Sequence, residues 1–195
     1  MLEHSILLKK KNLFTKHNSS YLNSLIPKPF RNEYWVGITK RARILFYNPS
    51  ITKKSDIENI SYESLSDDKW KNSIAIRQAN NVYNQSLIAS LIEYNGLENV
   101  EKWLKKFVKN FVRPPQGNDR AQILLVASGD AKLAVANTYY YALMLSGKKG
   151  KEQQKAAMNV KPIFPNQKGR GAHINISGAG ILNFSQNKKN AVKFI

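Results

Sequence analysis

The stretch LAVANTYYYALML, residues 133–145, contains the pattern that decides the predicted fold. Its first four residues are apolar without interruption, which is typical of a short strand buried on both faces. The apolar residues of 139–145 favour a helix, and Thr138 belongs to the residue types that cap helix N-termini. We therefore predict a strand over 133–136 that is followed at once by a helix over 139–145.

The same alternation of strand-like and helix-like segments extends through most of the remaining sequence. Apolar and β-branched runs predict further strands at 34–39, 42–47, 73–77, 160–164 and 173–177. Helical spacing of apolar residues predicts helices at 84–94, at 97–112, at 119–127 with Asp119 as its cap, and from about Asn190 onward. Strands that alternate with helices predict an α/β fold, with a mostly parallel sheet covered by helices on both faces.

The composition is strongly basic. The 195 residues include 31 Lys and Arg against 13 Asp and Glu, for a formal net charge of +18. Such an excess suggests a nucleic acid, an anionic membrane surface or an anionic ligand. Most of the positive charge is carried by lysine, however, whereas proteins that recognise bases in DNA grooves use the planar fork of arginine. A basic nucleic-acid-binding protein remains an alternative. A DNA affinity that falls steeply as the salt concentration rises would support it.

Several kinds of site are excluded by the residues present. The sequence has no cysteine, which excludes disulfides, thiolate metal sites and cysteine nucleophiles. Its three histidines, His4, His17 and His173, are too dispersed for a zinc triad, and we interpret His173 as structural. No Walker loop, nucleophile elbow or complete dinucleotide fingerprint occurs, and we interpret Gly178 and Gly180 as turn residues. An enzyme is therefore the weaker class, and oxygen or imidazole would bind any metal.

Tyrosines occupy two predicted strand-to-helix junctions. Tyr139, Tyr140 and Tyr141 follow the strand at 133–136, and Tyr83 lies just before the helix at 84–94. In open α/β sheets, ligands bind at the carboxyl ends of strands, beside helix N-termini. Aromatic side chains at strand ends can equally serve packing, but two junctions that both carry phenols can direct them into one crevice.

A phenolate oxygen suits one metal ion especially well. Fe(III) is a hard, highly charged acid that prefers anionic oxygen, and it lowers the pKa of a bound phenol so that the oxygen binds deprotonated at neutral pH. Nearby cations would hold a small anion that completes the coordination. Arg41 and Arg43, at the start of the predicted strand 42–47, are candidates for that contact. The alternative is that both are surface or hinge arginines.

Several motifs, in order and spacing, carry a resemblance to a known family. The longer ones are NVYNQSL at 81–87, PQGNDR at 115–120, NTYY at 137–140 and GAHINISGAG at 171–180. Shorter ones are WVG at 35–37 with RAR at 41–43, DKWK at 68–71 and FPNQ at 164–167. Over about residues 13–195 the chain resembles the periplasmic ferric-iron-binding proteins, the transferrin-like, iron-deficiency-induced receptors of ABC iron importers.

The resemblance implies a type II periplasmic-binding-protein fold, in which two lobes close on iron held in a cleft. It implies that Tyr83, Tyr139 and Tyr140 are metal ligands for Fe(III), together with a synergistic anion such as carbonate. The family arginine that contacts the site or its anion corresponds to Arg43, with Arg41 as a close competitor. Tyr141 is then expected to face elsewhere, toward packing.

The resemblance also implies how the chain is divided. Residues 43–165 are expected to form one near-complete α/β lobe that carries the tyrosines, and residues 1–42 and 166–195 to form partial segments of the other lobe and the hinge. We recognise neither the export signal nor the further tyrosine of the family's first lobe. We therefore expect a fragment, truncated at both ends, that binds iron more weakly than its periplasmic full-length parent.

The function that the resemblance implies is capture of Fe(III), without catalysis, by the extracytoplasmic solute-binding component of an ABC iron importer. Its partner would be the permease of the inner membrane, no nucleic acid is expected, and the protein is expected to be a monomer. The alternative within the same fold is a protein that binds another metal or an anion.

Overall fold

The computed structural model describes residues 12–195, which belong to two compact units. The first unit contains the described residues up to Lys40 together with Asn175–Ile195, and the second contains Arg41–Ile174. The predicted lobe at 43–165 lies inside the second unit. Its assignment as one lobe of a two-lobed protein stays a prediction, and the part of the predicted segment 1–42 before residue 12 lies outside the described residues.

The described chain contains both helices and strands, with one to three helices between most successive strands. The α-helices are α1 (Ser20–Leu25), α2 (Lys54–Ile57), α3 (Val82–Asn95), α4 (Leu97–Phe107), α5 (Asp119–Ser128), α6 (Thr138–Leu145), α7 (Lys151–Met158) and α8 (Lys188–Phe194). The strands are β1 (Val36–Tyr47), β2 (Ile74–Ile76), β3 (Leu133–Asn137), β4 (Lys161–Ile163) and β5 (Ile174–Ala179). Within residues 12–195, no helix has the length and apolar character needed to cross a membrane.

The sheet is mixed. Its strands are ordered β2-β3-β1-β4, and β5 also pairs with β1. β2 and β3 are parallel, whereas β1 is antiparallel to both β3 and β4. The predicted α/β class is confirmed, but the prediction of a mostly parallel sheet is wrong. The direction of β1 depends on pairs such as Arg43 with Asn137, which are distant in sequence and leave no trace in a local pattern.

Each face of the sheet is covered by helices. Successive residues of a strand point to opposite faces, so Leu45 and Val135 pack against apolar residues of α3 and α4. Ile44 and Ala134 face the other way and pack against residues of α5, α6 and α7. The central strands are therefore buried on both faces, as their uninterrupted apolar runs predict.

Two helix N-termini differ from the prediction. α5 begins at Asp119, but its cap is Asn118, whose side chain accepts a hydrogen bond from a backbone N–H of the first turn. Asp119 itself is fully buried. At α6 the cap position belongs to Asn137, and the Thr138 hydroxyl accepts a hydrogen bond from the Ala42 N–H at 3.3 Å. In both places, a side chain of a type that commonly caps helices instead binds a residue that is distant in sequence.

Other boundaries differ in smaller ways. The helix predicted at 97–112 is α4, which ends at Phe107 and continues into the 3-10 turn Val108–Asn110. The helix expected from about Asn190 is α8, which begins at Lys188. α7 was not predicted, because its sequence KEQQKAAM has too few large apolar residues to show a helical period.

Gly178 and Gly180 do not serve turns, and that prediction is wrong. Gly178 lies in β5, and Gly180 follows directly after it. A Cβ atom at Gly178 would lie 2.6 Å from the carbonyl oxygen of Val36 and 2.6 Å from the ring of Trp35. Glycine is therefore needed because another segment of the first unit approaches the strand too closely for any side chain.

We expect Gly178→Ala to lower the free energy of unfolding by about 1–3 kcal/mol, because the added methyl group overlaps the Val36 carbonyl and the Trp35 ring. Gly169→Ala is the matched control, since its Cβ atom would meet its nearest neighbour at 3.9 Å. Urea unfolding followed by tryptophan fluorescence measures both. Equal losses in the two variants would contradict the argument.

Candidate metal centre

The sheet brings two helix N-termini to the same edge. β2 and β3 are adjacent and parallel, so their carboxyl ends meet there, and the helices that follow them are α3 and α6. Tyr83 is the second residue of α3, and Tyr139 is the second residue of α6. Their hydroxyl oxygens are 3.5 Å apart. Two residues that are 56 positions apart in sequence thus present their phenol groups to one point.

Tyr140 completes a group of three phenols. The rings of Tyr139 and Tyr140 have their centroids 4.0 Å apart and are inclined by 32°. Tyr139 is 37% exposed, while Tyr83 and Tyr140 are half-buried. The structure therefore brings the three predicted ligands together at a place that solvent reaches. Their role as ligands stays a prediction.

The environment of Tyr139 disfavours a bare phenolate. Burial raises the pKa of Tyr139 well above its ordinary value, and the hydroxyls of Tyr140 and Tyr83 raise it further. The oxygen is consequently neutral at physiological pH unless a cation compensates the negative charge. A hard, highly charged cation at this point would do so and would release protons when it binds.

The two candidate arginines lie in different places. β1 is antiparallel to β3 and Arg43 is opposite Asn137, so Arg41 extends past the end of β3 toward the phenols. Its guanidinium carbon is 5.5 Å from the centroid of the Tyr83 ring. Arg43 lies deeper, fully buried, and both of its terminal nitrogens donate to oxygens of the protein. This geometry favours Arg41 over Arg43 for contact with an anion, and the assignment stays a prediction.

Arg43 and Asp119 form a fully buried ion pair. Arg43 Nη1 lies 3.1 Å from Asp119 Oδ2, and the side chains of both residues have no exposed area. Asp119 also pairs with Arg77 at 3.3 Å and accepts a hydrogen bond from the Asn137 N–H at 2.8 Å. The interpretation of Asp119 as a helix cap is therefore wrong. A signal was present in the sequence, because Arg43 lies inside the otherwise apolar run of a strand buried on both faces.

Tyr141 faces away from the other phenols. Its hydroxyl donates to the Val160 carbonyl at 2.8 Å, and its ring lies 5.0 Å from that of Phe46. The expectation that it serves packing is confirmed. The contrast with Tyr140, its neighbour in sequence, follows from helix geometry, since consecutive residues point in directions about 100° apart.

His173 has the structural role that was predicted. Its Nε2 lies 2.8 Å from the hydroxyl of Ser86, and its backbone N–H donates to the hydroxyl of Tyr62. Its carbonyl accepts a hydrogen bond from the Arg43 N–H. Burial, with Arg43 and Arg170 nearby, lowers the pKa of His173 to about 4. The imidazole is therefore neutral at pH 7 and joins the strand region around Arg43 to α3.

Other metal-binding residue types do not assemble. Within residues 12–195, no group of three or more His, Cys, Asp or Glu side chains could hold a metal ion. The phenols at the sheet edge are the remaining candidate, and they offer only oxygen. Such a donor set suits a hard cation.

Comparison with known proteins identifies the class. Residues 7–195 match the family described as bacterial extracellular solute-binding protein, and the chain belongs to that family. Among curated proteins, the iron uptake protein A1 of Synechocystis sp. is 45% identical over 185 residues, which are 94% of this chain and 51% of that protein. The major ferric iron-binding protein of Neisseria meningitidis serogroup A is 29% identical over 161 residues, covering 83% of this chain and 46% of that protein.

Solved structures agree with this assignment. The Trichodesmium IdiA (FutA) protein in complex with iron and citrate ligands has a TM-score of 0.89 and 46% identity, and the match covers 95% of this chain and 58% of that one. The predicted type II periplasmic-binding-protein fold class is thereby confirmed. The chain spans about half the length of the curated relatives it matches.

We expect Asp119→Asn to lower the free energy of unfolding by about 3–5 kcal/mol, because it leaves the buried charge of Arg43 without a counter-ion. Asp130→Asn is the matched control. Asp130 is exposed and its carboxylate only accepts a hydrogen bond from Ser128, so its loss should cost less than about 0.5 kcal/mol. Chemical unfolding at pH 7 compares the two, and similar losses would show that the ion pair is unimportant.

We expect the stability of the protein to fall as pH is lowered from about 6.5 to about 4, in part through His173. Its folded-state pKa of about 4 lies below the ordinary 6.5, so the unfolded chain binds more protons between these values. The contribution is complete above pH 6.5 and amounts to about 3 kcal/mol, most of which is lost by pH 4.

The measurement is the free energy of unfolding at several pH values for wild type, His173→Gln and the control His17→Gln. His173→Gln should have the flatter profile between pH 6.5 and 4. Burial lowers the pKa of His17 too, so this control shows how much of the slope any partly buried histidine contributes. An unchanged slope in His173→Gln would refute the assignment.

Proposed function

We propose that Tyr83, Tyr139 and Tyr140 bind Fe(III) as phenolates, and that the chain forms part of the solute-binding component of an ABC iron importer. The observation that carries the proposal is the 3.5 Å approach of the Tyr83 and Tyr139 hydroxyls, with the Tyr140 ring against that of Tyr139. The names of the relatives support the choice of metal, since they describe iron uptake and ferric-iron-binding proteins.

Charge balance explains why this group suits Fe(III). Three phenolates supply three negative charges, which neutralise a trivalent cation, whereas without a metal the Tyr139 phenol stays protonated because burial raises its pKa. Binding is therefore coupled to the release of protons. A less highly charged ion would leave net negative charge in a partly buried place.

Arg41 is the residue proposed to hold a synergistic anion such as carbonate. It lies on the Tyr83 side of the phenols, and its positive charge would attract a small anion to the remaining coordination positions of the metal. The iron and citrate in the Trichodesmium complex support an anion of some kind beside the metal. Arg43 has the indirect role of supporting the site, because its terminal nitrogens already donate to protein oxygens.

At the level of the whole protein, the proposal is a periplasmic receptor that delivers Fe(III) to an inner-membrane permease. The family assignment supports this placement and partner. Within it, residues 43–165 form the lobe that carries the phenols, no reaction is catalysed, no nucleic acid is bound and the receptor acts as a monomer.

We expect titration of the chain with ferric nitrilotriacetate to produce a visible tyrosinate-to-iron charge-transfer band. Tyr83→Phe and Tyr139→Phe should each weaken the band and lower the Fe(III) affinity at least about tenfold, because each removes an anionic ligand. Tyr94→Phe is the matched control, since Tyr94 lies on the same helix as Tyr83 but is 65% exposed. It should leave both quantities unchanged.

Two results would count against the proposal. A folded wild-type chain without the band would show that these phenols do not bind Fe(III) in this chain. A band in Tyr83→Phe and Tyr139→Phe as strong as in the Tyr94→Phe control would place the iron on other groups. Parallel titrations with Ga(III), followed by ultraviolet difference absorption of the phenolates, would show whether another trivalent metal binds at the same place.

A further inference from the structure

The guanidinium of Arg43 contacts the beginnings of three helices. Nη1 donates to Asp119 Oδ2 at 3.1 Å and to Asn137 Oδ1 at 3.2 Å, and Nη2 donates to Asn84 Oδ1. Asn84 is the third residue of α3, Asn137 is the cap position of α6, and Asp119 is the first residue of α5. One planar group therefore connects the ends of elements that carry the phenols.

Two of these contacts lie beside phenol-bearing residues. Asn84 directly follows Tyr83, and Asn137 precedes Tyr139 by two positions. A shift of either helix start would move its tyrosine with it, because the backbone of the first helical turn is rigid. The separation of the Tyr83 and Tyr139 hydroxyls therefore depends on the hydrogen bonds that the Arg43 guanidinium donates to Asn84 and Asn137.

The partners of Arg43 are themselves held in place. Asn84 Nδ2 donates to the carbonyls of Arg77 and Gln78, in the connection that leads from β2 to α3, at 2.8 and 3.0 Å. Asp119 accepts from the backbone N–H of Asn137. These bonds orient the three acceptors toward the guanidinium, and all three acceptors are buried.

We infer that Arg43 is a positioning residue, which sets the spacing of the phenols through Asn84 on one side and Asn137 on the other, with Asp119 as its counter-ion. This inference rests on the proposed function, and it differs from a role for Arg43 in anion contact. Lysine cannot replace it, because a single ammonium group lacks the planar fork that reaches several oxygens at fixed angles.

The test uses Asn84→Ala, which removes the link to α3 and keeps the Arg43–Asp119 pair. With ferric nitrilotriacetate, we expect the charge-transfer band of Asn84→Ala to weaken and to move to longer wavelength, as in Tyr83→Phe, because iron that loses a phenolate becomes a better electron acceptor. Asn99→Ala is the matched control, since the exposed side chain of Asn99 only donates to the Asn95 carbonyl. It should leave the band unchanged.

A double mutant separates positioning from general destabilisation. If Asn84 acts through Tyr83, adding Asn84→Ala to Tyr83→Phe should cause no further shift of the band, whereas independent effects would add. Arg43→Lys should shift the band in the wild-type background as Asn84→Ala does. An additive double mutant, or an unshifted band in folded Asn84→Ala, would overturn the inference.

A second measurement does not need iron, so it remains decisive if the wild-type chain shows no band. Crystal structures of the wild-type chain and Asn84→Ala give the distance between the Tyr83 and Tyr139 hydroxyl oxygens directly. We expect 3.5 Å in the wild type and a separation beyond hydrogen-bond reach in the variant. An unchanged distance would overturn the positioning role, whereas a changed distance without any iron band would overturn only the proposed function.

Discussion

The ion pair between Arg43 and Asp119 is the constraint on which the rest of the second unit, which carries the three phenols, depends. Charges without solvent access must be matched inside the protein, since desolvation costs several kcal/mol for each ion. The match here requires β1, β3 and the first turns of α3 and α5 to meet in one register. Because apolar residues can often replace such a pair without loss of stability, its value is better explained by the geometry that it imposes.

Further hydrogen bonds connect Arg43, through Tyr62, to His173 near the C-terminal end of the second unit. The Tyr62 hydroxyl donates to the Arg43 carbonyl and accepts from the His173 N–H, and burial raises the pKa of Tyr62 to about 12, so the hydroxyl keeps its proton. The adjacent Glu63 binds Arg170 at 2.6 Å and Asn166 at 2.7 Å. The segment that leads from β4 to β5 is therefore held by the side chains of Tyr62 and Glu63, in addition to the backbone hydrogen bond from the Arg43 N–H to the His173 carbonyl.

Tyr139 lies where burial makes ionisation of its phenol costly, and a cation beside the oxygen would offset that cost. Parallel β2 and β3 bring two helix starts to the same edge, and the buried polar network beneath them keeps the hydroxyls close, although those of Tyr83 and Tyr140 raise the pKa of Tyr139. A trivalent cation removes that conflict by supplying positive charge at the shared point. The proximity that raises the pKa of the Tyr139 phenol is therefore an argument for the proposed binding of a hard, highly charged ion.

The sequence by itself determined the α/β class, the strand-to-helix junctions and the residues of the candidate site. It could do so because apolar periodicity, uninterrupted strand runs and the motifs around Tyr83 and Tyr139 are local signals. The tertiary structure alone decided the direction of β1, the burial of Asp119 and the different positions of Arg41, beside the Tyr83 ring, and Arg43, in a buried ion pair. Each of these depends on partners far apart in the chain, such as Arg43 with Asn137, and no local pattern specifies which distant group will neutralise a buried charge.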